Sequence, residues 1–345
     1  MKRRRLLWVA AVFFGLLVIG TAFTADWVRR NITPTSETES FYVRYKTSQP
    51  LVQVLEDLQK RGVVRHPQAM SLYAAYRRAP QVVTVGTYEV CGGMTGDQVL
   101  FALRNPIQQK VRFREGFWIA RSAPRLEEYE VCSASDYVDL AQRAEEFQGV
   151  VEAPIPESGS LEGYLFPDTY ELPPLYGARE TIELQLKTFE RKVWIPLGRP
   201  DRETLRRAVI IGSMVELEAG VDDERPVIAG VIENRIKRGM PLQIDATVLY
   251  ALQEWRTLYY KDYRETKSPY NTYLHLGLPP GPIGSPGFKS IEAATKAEDH
   301  DYLYYVARLD LTHMFAKDYD QHLRNIQVRR KLLAERKAAE EAQSP

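Results

Sequence analysis

Residues Leu6 to Ala25 run for 20 positions without a charge, directly after Lys2-Arg3-Arg4-Arg5. At about 1.5 Å per residue, a helix of that length reaches about 30 Å, the hydrocarbon thickness of a bilayer. A buried helix of a soluble protein would carry a polar stripe, and this run has only the hydroxyls of Thr21 and Thr24. A cleaved signal peptide is the weaker alternative, since its apolar region is usually about 7–15 residues and Gly20 and Ala22 form a poor cleavage pattern. The sequence therefore predicts a single membrane anchor over residues 1–30, with the basic cluster cytoplasmic and everything from Asp26 onward outside. In a 345-residue chain this leaves exported material for roughly two domains.

Composition removes several classes of function. The net charge is +1, and setting the four N-terminal cations aside leaves −3, with no basic surplus of the kind that nucleic-acid binding draws on. Two cysteines are too few for a disulfide scaffold or a four-cysteine zinc site, although Cys91 and Cys132 could pair in an oxidising compartment or remain buried thiols. None of the five histidines (His66, His275, His300, His313, His322) falls in a zinc-binding spacing. Phosphate-binding and dinucleotide-binding glycine motifs and the nucleophile elbow are also missing.

The exported part divides by pattern. Residues 31–40 are polar and turn-prone, a linker. Over residues 41–105 the order is a strand at Phe41–Tyr45, helices at Leu51–Lys60 and Pro67–Arg78, a strand at Val82–Val90 and a helix at Met94–Leu103 capped by Thr95, which predicts a small α+β module. Residues 106–328 form a larger, helix-rich region with a short strand at Val111–Phe113 and helices near 135–146 and 180–194. Residues 329–345 are a charge-interleaved tail read as a solvated, fraying helix.

Chemistry concentrates at Arg206 to Gly220. Ala208 to Val215 is apolar on every side, the mark of a core helix. Glu216 and Glu218 follow at once, with Gly220 where a helix-terminating glycine belongs. A carboxylate is disfavoured both by the negative end of the helix dipole and by apolar surroundings, and both effects keep it protonated toward neutral pH. A neutral carboxyl is what a general acid at a glycosidic oxygen requires. Two positions apart on a helix, the glutamates point to different sides, so one is expected to line a site and the other to pair with an arginine or backbone donor. Structural ion pairing of both, with Arg225 or Arg235, is the competing reading. On the next helix, expected over Asp222 to Arg238, Glu224, Asn234 and Arg235 are the polar residues placed to meet a neighbouring core. The segment 268–287, rich in proline and glycine beside Tyr270 to Tyr273, suits either a sugar groove or a long turn.

The segments IIGSMVELEAGVDDERPVIAGVIENRIKRGMPLQIDATVLYAL, SPYNTY, GLPPGPIGSPG, YLYYVA and HMFAKDYDQH, preceded by GTYEV, EGFW and LEGYLFPDTY, occur in order between about Thr47 and Gln327. Together they resemble the membrane-anchored endolytic murein transglycosylases, the YceG-like family. The resemblance implies an α+β fold with one N-terminal transmembrane helix, a LysM-like module over residues 41–105 and a lytic-transglycosylase catalytic domain over 106–328. It also implies a cofactor-free lyase at the inner membrane, with its catalytic part extracytoplasmic. Such an enzyme cleaves the β-1,4 bond between N-acetylmuramic acid and N-acetylglucosamine in nascent strands and leaves a 1,6-anhydro end. Its partners would be peptidoglycan strands, the membrane and peptidoglycan synthases.

By position in the motif, Glu218 corresponds to the catalytic glutamate, with Glu216 in reserve. Gln243, Asp245, Asn271 and Tyr273 are the expected groove residues. The chain departs from the pattern at Ile244 and Ala246, where threonine and proline are common, and at Ala219, where threonine is common. The cysteine pair is not part of that pattern. The alternatives to the lyase are a non-catalytic glycan-binding membrane scaffold and a conventional hydrolase.

Overall fold

The structure, a computed structural model, describes residues 2–36 and 39–343. Glu37 and Thr38 of the expected linker, the end of the charged tail and the side chains of the Lys2–Arg5 cluster lie outside the described residues. The chain forms two units, Met1–Lys110 with Glu171–Tyr176, and Val111–Tyr170 with Gly177–Pro345. The boundaries expected from sequence made no provision for the return of Glu171–Tyr176 to the first unit.

In the first unit one helix spans Lys2–Asn31, and its Leu7–Asn31 portion, which contains an 18-residue window of mean hydropathy 2.2, is long and apolar enough to cross a membrane. Phe41–Tyr45 pairs antiparallel with Gly86–Val90, from Phe41 opposite Val90 to Tyr45 opposite Gly86. Helices Leu51–Lys60, Pro67–Tyr76 and Gly96–Ala102 belong to the same unit, around a core of Val54, Leu55, Leu58 and Tyr88. The expected single strand over Val82–Val90 is two, because the chain changes partner. Val82–Val83 pairs with Gln49–Pro50 and Gly86–Val90 with Phe41–Tyr45. The Thr95 cap is formed: Gln98 N donates to Thr95 Oγ1 at 3.3 Å and Thr95 N to Gln98 Oε1 at 2.8 Å, a reciprocal capping box. The Thr87 hydroxyl donates to the Pro174 carbonyl at 2.8 Å, and the Arg44 guanidinium lies 4.5 Å from the Tyr176 ring centre; both contacts hold the returning segment.

The second unit is built on the helix Arg202–Glu218. Asp201 caps it by accepting from Glu203 N and Thr204 N, both at 3.0 Å. Every residue from Ala208 to Val215 is buried, as the apolar pattern requires. Each large apolar side chain so removed from water contributes about 1.5–3 kcal/mol, enough to offset the cost of ending the helix on carboxylates. Gly212 lets the helix Phe288–Thr295 pack closely, since a Cβ there would sit 3.0 Å from the Ile291 backbone. The Ser213 hydroxyl accepts from Ile283 N at 3.1 Å and so pins the 268–287 segment to this helix.

Other expected helices are shorter or differently bounded. The one near 135–146 is Ala134–Ala141 followed by a 3-10 turn, Ala144–Phe147, and Ala178–Phe189 runs on into a π-turn, Glu190–Trp194. The helix expected from Asp222 begins as a 3-10 turn, Asp222–Glu224, and becomes α-helical over Arg225–Lys237, with Pro226 at its start where no amide donor is needed. Ile119–Glu128 is a helix that its internal Pro124 and polar residues concealed in the sequence. Strands Tyr304–Ala307 and His313–Ala316 form an antiparallel hairpin, and the helix Tyr319–Gln343 follows, with residues 330–338 of the charged tail exposed. Cys91 and Cys132 are free thiols.

Candidate active site

Glu218 is the last residue of the Arg202–Glu218 helix and is half-buried. Burial pushes its carboxyl up to about 7, the nearby charge of Asp245 adds to the rise, and a hydrogen bond from Tyr305 and the charge of Arg235 partly oppose it. The Tyr305 hydroxyl donates to Glu218 Oε2 at 3.0 Å. The helix stops here because Ala219 turns to an extended conformation (ψ 121°). Gly220 does not take the left-handed conformation expected of a terminating glycine. It is needed for a close approach instead: a Cβ would lie 2.1 Å from the Leu311 carbonyl oxygen.

Glu216 points elsewhere and is spoken for. Its side chain is only 7% exposed, and Arg225 donates to Oε1 at 3.2 Å. Gly287 N at 2.9 Å and the Ser290 hydroxyl at 2.7 Å donate to Oε2. Structural pairing with Arg225 therefore describes Glu216, whereas Glu218 is hydrogen-bonded to Tyr305. Glu115 lies beside Glu216, and burial followed by that neighbour's charge raises its carboxyl.

Asp245 opens the helix Asp245–Leu252 and is exposed. Its Oδ1 accepts from the Tyr273 hydroxyl at 2.5 Å and its Oδ2 from the Tyr263 hydroxyl at 3.3 Å. A ladder of short bonds sets this geometry. Gln243 N donates to the Thr272 carbonyl at 3.1 Å, Ile244 N to Thr272 Oγ1 at 3.0 Å, and the hydroxyls of Thr247 and Thr272 meet at 2.9 Å. Gln243 is exposed and holds a left-handed backbone (φ 52°), a strained conformation for a residue with a side chain.

Asn271 is brought into the same loop with a different posture. It is fully buried, its amide donates to the carbonyls of Tyr263 at 3.1 Å and Thr266 at 3.0 Å, and its Oδ1 accepts from Tyr273 N at 3.0 Å. Tyr263 and Thr266 belong to the helix Tyr260–Glu265 and its C-terminal cap, so Asn271 ties the loop that carries Tyr273 to the end of that helix.

Tyr305, Tyr263 and Arg235 complete the arrangement. Arg235 is buried and donates through Nε to the Leu303 carbonyl at 2.6 Å and through Nη1 to the Leu242 carbonyl at 2.5 Å, tying the strand that bears Tyr305 to the turn before Asp245. Glu224 and Asn234 also meet the core as their placement suggested. Glu224 accepts from His313 N at 2.8 Å and lies 2.6 Å from His313 Nδ1, and Asn234 donates to the His300 carbonyl at 2.6 Å. Tyr305 was missed as a site residue, although the alternation of YLYYVA would have placed it on one face of a strand.

A carboxyl raised to about 7 at the end of a core helix, with an exposed carboxylate held by two tyrosines nearby, is an arrangement chemically able to give and take a proton near neutral pH. The chain belongs to the YceG-like family, which it matches over residues 43–328. It is 28% identical over 91% of its length to an endolytic murein transglycosylase of Streptococcus pneumoniae, and spans 63% of that longer protein. It is 30% identical to an endolytic murein transglycosylase of Bacillus subtilis over 77% of this chain and 78% of the relative. A yceG-like protein of Listeria monocytogenes has a similar solved structure, with TM-score 0.55 and 28% identity, covering 83% of this chain and 99% of that one.

Proposed function

We propose that this protein is an endolytic peptidoglycan lytic transglycosylase. The observation that carries the reading is Glu218, a half-buried carboxyl raised to about 7 at the end of a core helix, in a chain whose relatives bear that activity in their names. In this reading Glu218 gives its proton to the oxygen of the β-1,4 bond between N-acetylmuramic acid and N-acetylglucosamine as the bond to the anomeric carbon breaks. The resulting carboxylate then takes the proton of the muramyl 6-hydroxyl as that oxygen closes on the anomeric carbon. The glycan ends as a 1,6-anhydro sugar, Glu218 is reprotonated and no water is consumed. This differs from the paired carboxylates of most glycosidases, because the nucleophile belongs to the substrate.

Asp245, oriented by Tyr273 and Tyr263, supplies a fixed negative charge toward the cationic character that develops at the sugar ring, and also favours the protonated form of Glu218. Gln243 and Tyr273 offer polar and aromatic surface to neighbouring sugars, and Asn271 serves by holding their loop. The Lys2–Asn31 helix anchors the chain in the cytoplasmic membrane with the second unit outside. The module at 41–105, read as LysM-like, holds glycan near that membrane, where peptidoglycan synthases deliver new strands.

The test is mass analysis of products from purified glycan strands. New 1,6-anhydro ends are expected from the wild type and none from Glu218→Gln. Binding of strands without such ends supports a scaffold instead, and solvent oxygen at a new reducing end supports a hydrolase.

A further inference from the structure

We propose that Tyr305 is a positioning residue for the acid, holding Glu218 Oε2 so that the transferable proton resides on Oε1. The inference rests on Glu218 being the acid of the proposed reaction. Tyr305 lies on the strand Tyr304–Ala307, and its hydroxyl donates to Glu218 Oε2 at 3.0 Å. A carboxyl oxygen that accepts a strong donor is a poor seat for a proton, so the other oxygen carries it. Position at the ångström level matters here, because a displaced acid no longer meets the bond it protonates.

Tyr305 is itself held in place. The His313 ring packs edge-on against the Tyr305 ring with centres 5.4 Å apart, and His313 is fixed by two bonds to Glu224, from its backbone N at 2.8 Å and at Nδ1 at 2.6 Å. The His313 and Glu224 side chains are only 7% and 14% exposed. Arg235 draws on the same strand through the Leu303 carbonyl and lies with its guanidinium 5.2 Å from the Tyr304 ring centre. The hairpin Tyr304–Ala307 with His313–Ala316 is thus braced from the 222–224 turn and from the Arg225–Lys237 helix. Its one hydroxyl directed at the acid is that of Tyr305. The groups facing Glu218 are Tyr305 from this hairpin, Asp245 from the helix Asp245–Leu252, Tyr273 from the 268–287 segment and Arg235 from the helix Arg225–Lys237; those facing Tyr305 are Glu218, Arg235, Tyr273 and His313.

The experiment uses the full chain in detergent, cleaving purified glycan strands across a pH series, with Tyr305→Phe beside Glu218→Gln. Phenylalanine keeps the ring against His313 and deletes only the donor. kcat is expected to fall by about 100-fold with KM unchanged. The alkaline limb of kcat is expected to move to higher pH, because the deleted bond favours the charged carboxyl. Site-specific 3-fluorotyrosine at 305, a stronger donor of nearly the same size, should move that limb to lower pH, and it reports even if Tyr305→Phe does not fold. Unchanged kcat and an unmoved limb in both variants overturn the inference while an inactive Glu218→Gln leaves the function standing. A fully active Glu218→Gln overturns the function, and this inference with it.

Discussion

Replacing Glu216 by glutamine separates the two neighbouring glutamates by what each does. The Glu216 carboxylate is 7% exposed and meets Arg225, which is 13% exposed, as well as Gly287 N and the Ser290 hydroxyl. Removing one charge of a buried pair costs about 3–5 kcal/mol, because the partner charge stays behind. Arg225 keeps a second partner in Asp222 at 3.0 Å, so the lower figure of about 3 kcal/mol applies. At about 2–4 °C per kcal/mol for a unit of this size, Tm should fall by about 6–12 °C. Glu218→Gln removes a group that burial already disfavours in its charged form, and Tm should stay within about 2 °C. Thermal unfolding followed by circular dichroism, beside turnover below both melting points, reads the contrast: Glu216→Gln unstable but active, Glu218→Gln stable but inactive. A Glu216→Gln protein with wild-type Tm and no activity would refute the assignment of roles.

Asp245→Asn should move the alkaline limb of kcat to lower pH, opposite to Tyr305→Phe, because the lost charge no longer favours the protonated acid; an unmoved limb in the pH series would contradict this. Glu162 is buried, accepts from Ile119 N at 3.1 Å, and is pushed by burial up to about 8. Its native form holds a proton that the unfolded chain releases near pH 4–5, so its contribution to stability is present below that range and is lost as pH rises toward about 8. Urea unfolding of Glu162→Gln should show a flatter decline over that window than wild type, and equal slopes would count against it. Gly163→Ala should destabilise by at least about 2 kcal/mol in the same assay. Its φ is +83°, and a Cβ would lie 2.6 Å from Pro282 and 2.7 Å from Val209.

The helix that ends on Glu218 was legible because an apolar run is a strong local signal and two carboxylates after it break that signal visibly. That one glutamate would pair with Arg225 was also legible as an alternative, since spacing on a helix separates the two directions. What sequence could not supply was which glutamate pairs with Arg225, because the pairing also draws on Gly287 and Ser290, some 70 residues away. The same holds for Asn271, whose polar side chain suggests a groove but whose amide donates to carbonyls at the end of the preceding helix. Tyr305 was hidden for a further reason: a tyrosine in a β-rich run is ordinarily a core residue, and only the hairpin register brings its hydroxyl to Glu218. Gly220 shows the converse. Its position was read correctly and its cause was not, since the reason for glycine is the Leu311 carbonyl and not a left-handed turn.

The most direct test of the account is mass spectrometry of the muropeptides that the purified full chain releases from intact glycan strands, wild type against Glu218→Gln. The account predicts internal cleavage with 1,6-anhydro ends that vanishes in the variant while its fold persists. Undiminished anhydro ends from a folded Glu218→Gln protein would contradict it.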